Sequence, residues 1–525
     1  MKNTFTPLFA GIFFLSPLFV FAADQPQWGE NYTRNNISSE KNLPTTFTYP
    51  RYDEARKEYD LSKSPNVRWA QKLGGQTYGN PVVAEGKVFI GTNNESPRDE
   101  RFTEDRGIMM CFDEKTGEFL WQLNLPKLYD VTFGDWHYVG ICGNPVVRDG
   151  KVYILTNRSQ IMCLDIHGLK NGNDGIQDEE YLMRHTTERF VQGHPDFPAT
   201  PPTEFDADVL WVTGLYEELG VQSHNASSCS LLIVGDYIYA GTGNGVNHHH
   251  NEMGAPDSPT FAVLEKETGK IVAVDDFQIG PTIFHGQWSS PIYYTHEGRE
   301  TICYACGIGI IFGFDPIRKE DLPTDGSLYK IMPRWIFNGH PDAQKTADPI
   351  PIEVSYMSPS YMAVGNPTFY KDRLYVPVTQ NVFHGPNRGW VVCIDPKGEG
   401  DITRKSLVWG YDEVGACPAS LAIADDILYI PGDNGILHAL DTATGEKLWE
   451  DNAGAPAWGS ALVADGKVYV TTGRRMMTVY EHGREMKIIS TVRLDAPSYN
   501  TPVAANETLY ITTQKSLVAV EKESE

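Results

Sequence analysis

A pattern of short apolar strands and tight turns repeats along the chain. Its clearest copy is Trp458–Glu481, where an apolar strand, an Asp-Gly turn and a Val-Tyr-Val strand are followed by a third strand. In the preceding copy, Ile436–Asp451, a strand ending in small-x-Asp leads through a Thr-Gly turn into a strand that carries a Trp. Four short antiparallel strands repeated about every 40 residues are typical of a β-propeller, so we predict an all-β fold.

The first strand of this repeat occurs eight times. The copies begin at Gly79, Gly143, Ser227, Ser289, Gly365, Pro418, Trp458 and Asn500. The eighth copy has only three strands, whereas Asn66–Leu73 places Trp69 where other copies carry Trp in their fourth strand. We therefore predict a single eight-bladed propeller over residues 66–525, built from four-stranded antiparallel blades. The N-terminal strand completes the last blade, which closes the ring and removes exposed sheet edges.

The first 22 residues have the pattern of a secretory signal peptide. Lys2 precedes the apolar run Leu8–Ala22, and small residues close that run. The run is short and contains Pro17, so a signal peptide cleaved near Ala22 is favoured over a membrane anchor. We expect an exported protein, periplasmic or secreted, without a membrane anchor. Residues 23–65 precede the first blade strand and predict an irregular N-terminal wrap over the ring.

Charge and cysteine usage narrow the possible partners and cofactors. The chain has 525 residues and a formal net charge of −24, which argues against binding nucleic acid or an anionic membrane surface. Cys111, Cys163 and Cys393 occupy a strand position that holds Ala or Gly in other repeats, so we interpret them as small buried residues. No CxxCH occurs, which excludes a covalently attached haem of the usual type.

The long insertions fall mainly on one face of the predicted ring. We letter the four strands of each blade a to d in chain order. In such a four-stranded meander the b–c and d–a loops share one face of the ring. Most insertions are of these two kinds, whereas the a–b turns are tight. Binding sites on rigid β scaffolds concentrate on such loops.

Histidines are enriched in these insertions. Imidazoles are ligands for transition metals, and the candidate ligands are His224, His248, His250, His285 and His384. The run from His248 to His250 would need partners from other loops, such as His224 or His285. Glu252 and Asp257 lie nearby in sequence. The alternative is that these are polar loop residues bonded to the backbone, because their spacing matches no metal motif.

Aromatic residues open several of the innermost strands. Tyr78, Trp288, Trp458 and Tyr499 lie at or near this position, which predicts an aromatic ring around the mouth of the central channel. Their faces suit stacking on sugars or planar rings, so they are candidate cofactor- or ligand-binding residues. Packing between blades is the competing interpretation.

The repeat resembles that of the PQQ-like propellers, the superfamily of the quinoprotein alcohol dehydrogenases. Ala439–Trp449, "ALDTATGEKLW", is similar to their tryptophan-docking motif, and Cys111–Trp121 is similar with Cys for Ala. "HGQWSSP" at 285–291 and "NGNDG" at 171–175 look most like exported propellers of planctomycete-like bacteria. The resemblance implies the propeller fold over nearly the whole mature chain.

The resemblance leaves the activity open. Some members of the superfamily are dehydrogenases that use pyrroloquinoline quinone and calcium, and another is an outer-membrane assembly propeller without a cofactor. This chain lacks the adjacent Cys-Cys pair of the alcohol dehydrogenases. We expect a monomeric binding or scaffold protein, with a small molecule, a carbohydrate or an envelope protein as its partner. The alternative is an oxidoreductase or carbohydrate-active enzyme dependent on quinone and calcium or on zinc or iron.

Overall fold

Eight blades form a ring in the computed structural model. The structure describes residues 23–29, 31–128, 134–177, 200–247, 249–283, 285–344, 361–383 and 387–522. Blade one consists of Val82–Ala84, Lys87–Asn93, Arg106–Asp113 and Phe119–Pro126, and blade two of Val146–Arg148, Lys151–Leu155, Gln160–Asp165 and Val209–Gly214. Blade three consists of Leu232–Val234, Tyr237–Gly241, Phe261–Glu265 and Ile271–Asp275, and blade four of Ile292–His296, Arg299–Ala305, Ile310–Phe314 and Trp335–Asn338. Blade five consists of Thr368–Tyr370, Arg373–Gln380, Gly389–Ile394 and Leu407–Tyr411, and blade six of Ala422–Ala424, Ile427–Pro431, Ile436–Asp441 and Lys447–Asn452. Blade seven consists of Leu462–Ala464, Lys467–Thr472, Met476–Glu481 and Ile488–Arg493, and blade eight of Val503–Ala505, Thr508–Thr512, Ser516–Val520 and Val67–Lys72. The predicted all-β, eight-bladed propeller is confirmed.

A few short elements lie outside the four-stranded meanders. Tyr329–Ile331 and Gly400–Asp401 add parallel fifth strands to blades three and four, and Tyr361–Met362 also pairs within blade five. Arg51–Asp53 and Glu58–Asp60 form a hairpin. Among the described residues the helices are Leu215–Leu219 and Thr403–Ser406, with 3-10 turns at Gly168–Asn171, Gly280–Thr282, Lys319–Asp321 and Pro341–Gln344. Within the described part of the chain, none of these helices has the length and apolar character of a membrane span.

The last blade is completed by the N-terminal strand, as the sequence predicted. Val67–Lys72 pairs antiparallel with Ser516–Val520, and Trp69 lies opposite Ala519. The chain ends of the propeller are therefore held in one sheet.

The repeated Trp is an inter-blade anchor. In each blade that carries it, this Trp pairs across the strands with a small residue, for example Trp121 with Cys111 and Trp449 with Ala439. Cys111, Cys163 and Cys393 are at most 1% exposed, which confirms their interpretation as small buried residues. The small residue leaves room for the indole against the sheet.

The indole also reaches the next blade. The Trp69 N–H donates to the Glu114 carbonyl at 2.8 Å, and the Trp449 N–H donates to the Gly483 carbonyl at 3.0 Å. Gly117 of the Thr-Gly turn has φ +70°, and a Cβ there would lie 2.5 Å from Cγ of Trp69. The turn thus needs Gly both for its left-handed backbone and for contact with the neighbouring indole.

A closed circle of hydrogen bonds joins all eight blades around the channel. In each step, a backbone N–H at the start of one innermost strand donates to the side-chain oxygen of the equivalent residue in the next blade. The circle runs through Asn80, Asn144, Ser230, Ser290, Asn366, Ser420, Ser460 and Thr501 and returns to Asn80, with donor–acceptor distances of 2.5–3.3 Å. All eight residues are buried. The backbone N–H groups and side-chain oxygens that form the circle are therefore paired, which is the condition for burying them.

The described residues of segment 25–40, which are 25–29 and 31–40, cross the inner strands at the end of the channel nearer the a–b turns. Gln25 pairs with Val83 of blade one, and Ile37–Ser38 adds a parallel strand to Leu462–Ala464 of blade seven. Between them, the buried Arg34 guanidinium donates to the carbonyls of Pro291, Ser230 and Leu231. We call this segment the strap.

Trp449→Ala should destabilise the propeller. Trp449 is 8% exposed and packs between Tyr429 and Tyr480, at ring-centroid distances of 5.7 Å to each. Emptying such a site costs about 3–5 kcal/mol, so the urea midpoint should fall, and Trp449→Phe should fall less. A Trp449→Ala variant with wild-type stability that has lost only ligand binding would contradict a structural role.

Candidate functional site

Three histidines meet on the face that carries the long loops. The ring centroids of His224 and His285 are 4.3 Å apart, those of His250 and His285 4.5 Å, and those of His224 and His250 5.1 Å. One ring nitrogen from each residue lies within 4.8 Å of the others. We call His224, His250 and His285 the histidine cluster.

All three cluster residues come from loops around blade three. His224 lies in the loop that enters this blade, His250 in its b–c loop and His285 in the loop that leaves it for blade four. The cluster is therefore built from consecutive loops, away from the blades on the other side of the channel.

His224 is oriented by a backbone hydrogen bond. It is 3% exposed, and its Nδ1 bonds to the carbonyl of Val246. Because Nδ1 is used in this way, Nε2 is the nitrogen that a metal ion would take, and such a bond fixes the tautomer of a ligating imidazole.

The loop that carries His250 is braced internally. The Asn247 N–H donates to the Glu252 carbonyl at 2.9 Å, and the His250 N–H donates to the Asn247 carbonyl at 2.9 Å. Gly245 has φ +64°, and a Cβ at this position would lie 2.7 Å from Cβ of Gln222. The glycine therefore lets this loop approach the loop that carries His224.

Two residues at the cluster have left-handed backbones. His250 has φ +53°, and Asn225, next to His224, has φ +61°. This conformation is uncommon for residues other than glycine, but Asn and His adopt it more readily than most, and it also occurs in turns of the blades, as at Glu85 and Asp149. The fold holds both residues in this conformation through the surrounding loop contacts.

The loop that carries His285 is held by Gln287, two residues further along the chain. The Gln287 side-chain oxygen accepts hydrogen bonds from the Gly307 N–H at 2.9 Å and from the Tyr304 hydroxyl at 3.2 Å. Its amide nitrogen contacts the Asn244 side-chain oxygen at 3.5 Å, in the loop of His250. One buried amide therefore connects the supports of two cluster histidines.

Trp288 forms a wall of the cluster. Its ring centroid is 4.8 Å from His285 and 6.2 Å from His224, and its indole N–H donates to the Ala226 carbonyl at 3.2 Å. The indole limits the directions in which the imidazoles can turn.

A second group of aromatic residues comes from blades one, seven and eight. The ring centroids of Tyr78 and Trp458 are 6.5 Å apart, those of Tyr78 and Tyr499 6.4 Å, and those of Trp458 and Tyr499 4.9 Å. The Trp458 N–H donates to the Asp433 carboxylate at 2.6 Å, and burial raises the pKa of Tyr78 to about 12. We call Tyr78, Trp458 and Tyr499 the aromatic wall.

One cavity of about 590 Å³ joins the two groups. It is lined by all three cluster histidines and by Trp288, Tyr78 and Trp458, together with Trp136, Val139, Cys142, Asn225, Ala226, Ser228, Val364, Thr379, Gln380, Asn381, Val382, Phe383 and Pro418. Among these described lining residues there is no Asp, Glu, Lys or Arg. A cavity of this size with few polar groups is typical of a small-molecule site.

The donor set discriminates between metals. Calcium takes six to eight oxygen ligands, whereas imidazole nitrogens suit zinc, copper, iron and nickel. Within the described residues the cavity presents three imidazoles and no carboxylate. This site therefore does not fit the calcium that accompanies pyrroloquinoline quinone in the enzymes that the sequence resembles.

The structure brings together many of the predicted site residues. His224, His250, His285 and Trp288 are adjacent, and Tyr78 and Trp458 face the same cavity. His248 and His384 lie outside the described residues. Glu252 and Asp257 are exposed and are not members of the cluster.

Sequence reasoning missed Trp136, Cys142 and Phe383 as cavity residues. Trp136 was detectable in principle, because it is an aromatic residue within a long d–a insertion. Cys142 and Phe383 give no such signal, since their positions depend on how distant loops pack.

Comparisons with known proteins match the propeller. The family described as outer membrane protein assembly factor BamB matches residues 387–486. Two curated relatives are dehydrogenase subunits of alcohol dehydrogenase (quinone), from Gluconacetobacter polyoxogenes and Komagataeibacter europaeus, and both are 22% identical to this chain. Each alignment covers 75% of this chain, and the chain spans 57% of the length of these curated relatives.

A solved structure with a similar fold is BamB from Moraxella catarrhalis. It aligns with a TM-score of 0.50 and 13% identity, covering 87% of this chain and 98% of that chain. At this identity the likeness concerns the fold alone.

The cysteine thiols should be unreactive in the folded protein. All eight are free and buried, and burial raises the pKa of both Cys142 and Cys306 to about 12. The thiolate is the reactive form, so titration with a thiol reagent at about pH 8 should give slow, sub-stoichiometric labelling. In denaturant all eight should react without prior reduction. Fewer than eight thiols in denaturant would contradict the free state of the cysteines.

Proposed function

We propose that this chain, a PQQ-like β-propeller related to BamB and to the quinoprotein dehydrogenases, binds a transition-metal ion in its histidine cluster and a small ligand beside that ion. The observation that carries the proposal is the placement of one ring nitrogen from each of His224, His250 and His285 within 4.8 Å of the others. The proposed metal site opens onto the cavity, because the cluster residues also line that cavity.

Three protein ligands are the number found in metal centres that accept an exogenous ligand. A structural zinc site is closed by four protein ligands, whereas centres that act on a ligand keep one position open. With bonds of about 2.0–2.1 Å, tetrahedral zinc separates its ligand nitrogens by about 3.3 Å. The cluster would therefore contract by at most about 1.5 Å on binding, which small side-chain rotations can supply.

The surroundings of the cluster support a metal more than a set of ordinary polar residues. His224 and His285 are 3% and 4% exposed, and no carboxylate of the described residues lines their cavity. Three imidazoles in contact would repel one another when protonated, but as neutral rings they can share a cation.

The metal proposal predicts a stoichiometric and specific loss. Protein grown with zinc, iron and copper should contain about one transition-metal ion per chain, because the three imidazoles form a single site. His285→Gln should lower that content by at least about tenfold, since a two-ligand site binds weakly. His249→Gln is the matched control, because His249 is exposed in the same loop as His250 and is not a member of the cluster.

Elemental analysis of the purified variants makes the measurement, and circular dichroism checks their folding. Wild-type protein that stays metal-free after growth and after dialysis against each metal would overturn the proposal. Equal metal loss in the His249 variant would also contradict the assignment.

A scaffold role is a second candidate, which the family match over residues 387–486 favours. In that role the propeller would contact an envelope protein through its surface, with no metal requirement. Metal-free protein that is fully folded would leave this candidate in place.

We also propose that the protein is exported. Residues 1–22 lie outside the described residues, and the proposal depends on their signal-like pattern of Lys2 followed by the apolar run Leu8–Ala22. Intact-mass measurement of the protein from a secreting host should give a mature N-terminus near Ala23. Replacing Leu18 and Val20 by Arg should block cleavage and retain the precursor in the cytoplasm, because the apolar run would be broken. A mature protein that still begins at Met1 would contradict export by this route.

A further inference from the structure

The cavity has two chemically different sides. The histidine cluster belongs to the loops around blade three, and the aromatic wall belongs to blades one, seven and eight. In an eight-bladed ring blade seven, which begins with Trp458, lies opposite blade three, whereas blades eight and one are three and two blades away from blade three. A ligand that fills the cavity therefore meets a metal at one end and aromatic faces at the other.

The remaining lining is mostly apolar. Val139, Val364, Val382 and Pro418 are part of this lining, and Phe383 stands at the rim with 74% exposure. Phe383 packs edge-on against Trp458, at a ring-centroid distance of 6.1 Å. The aromatic surface thus continues from inside the cavity to its rim.

This lining disfavours a carbohydrate. Each sugar hydroxyl that leaves water needs a hydrogen-bonding partner, and an unpaired one costs about 1–3 kcal/mol. The amide and hydroxyl side chains among the described lining residues are Tyr78, Asn225, Ser228, Thr379, Gln380 and Asn381, and the Thr379 hydroxyl already donates to the Gln380 carbonyl at 2.8 Å. A flat ring with one or two oxygen atoms needs far fewer partners.

The positive charge of the proposed metal ion favours a ligand that coordinates it through an anionic oxygen. Neutral imidazoles leave the full charge of a divalent ion uncompensated, and no carboxylate of the described lining residues offsets it. A phenolate or catecholate oxygen supplies negative charge at the metal while its ring remains apolar. The oxygen of such a molecule matches the metal side of the cavity, and its ring matches the aromatic side.

We propose that the ligand of this site is a one-ring phenol or catechol, bound to the metal through its deprotonated oxygen with its ring towards the aromatic wall. On binding, a metal–oxygen bond forms, a bound water leaves and the phenolic proton passes to solvent. This inference depends on the proposed metal site and adds the chemical class of its ligand.

The test uses 4-nitrocatechol as the probe, because its absorption spectrum changes when its oxygens ligate a metal. Metal content is measured first by equilibrium dialysis, so that a failure of the metal site is detected separately. Titration of the metal-loaded full-length protein should then shift the probe spectrum with saturation at one equivalent. Removal of the metal by a chelator should abolish the shift.

Two variants test the aromatic side without touching the metal ligands. Trp458→Ala should weaken probe binding about tenfold at unchanged metal content, because a stacked ring loses its aromatic partner. Phe383→Ala should weaken binding about threefold; this side chain is 74% exposed, so its removal leaves folding intact. The exposed-loop variant His249→Gln should bind the probe like the wild type.

The outcomes separate the two proposals. Metal uptake without a probe shift, or probe binding unaffected by both Trp458→Ala and Phe383→Ala, would overturn the ligand assignment and leave the metal site standing. Displacement of the probe by glucose at a lower concentration than by phenol would also overturn it, in favour of a carbohydrate. Failure to take up metal would overturn the metal site itself.

Discussion

The circle of eight hydrogen bonds around the channel is the constraint on which the rest of the structure depends. Each blade supplies one side-chain oxygen and one backbone N–H, and the circle closes when the Thr501 N–H reaches the side chain of Asn80 at 2.7 Å. A ring with one blade more or fewer would need a different angle at every step. The circle therefore fixes the positions at which the innermost strands begin, and with them the origin of every loop that borders the cavity.

In the outer part of the ring, the repeated Trp side chains join each blade that carries one to the next blade. Each anchoring Trp fills the space beside a small residue of its own blade, and the indoles of Trp69 and Trp449 also donate to a carbonyl of the next blade. These contacts use strand and turn residues only, so the b–c and d–a loops contribute little to the stability of the ring. The loops of blade three can then hold left-handed residues such as His250 and Asn225 at a cost that the framework absorbs.

The fold was predictable from sequence because its signals are local. Tight turns, alternating strands and the Thr-Gly-x-x-x-Trp spacing each fall within one blade, and the unpaired last blade identified Asn66–Leu73 as its missing strand. The meeting of His224, His250 and His285 was predictable only in part. Their loops share a face by connectivity, but the approach of these loops depends on Gly245 and on the contact of Gln287 with Asn244. The contributions of Trp136 and Phe383 depend on loop packing across the ring, which no single segment encodes.

The strap has a consequence for how the propeller is assembled. It precedes the blades in the chain, yet its partners are spread around the ring: Arg34 bonds to a carbonyl 257 residues away, and Asn35 bonds to one 388 residues away. During synthesis this segment therefore emerges before the blades and can bind its partners only after most of the blades have been made. The histidine cluster needs only neighbouring loops and can assemble much earlier. A nascent propeller would thus form its histidine cluster before the strap docks, and docking of the strap would be the last step of folding.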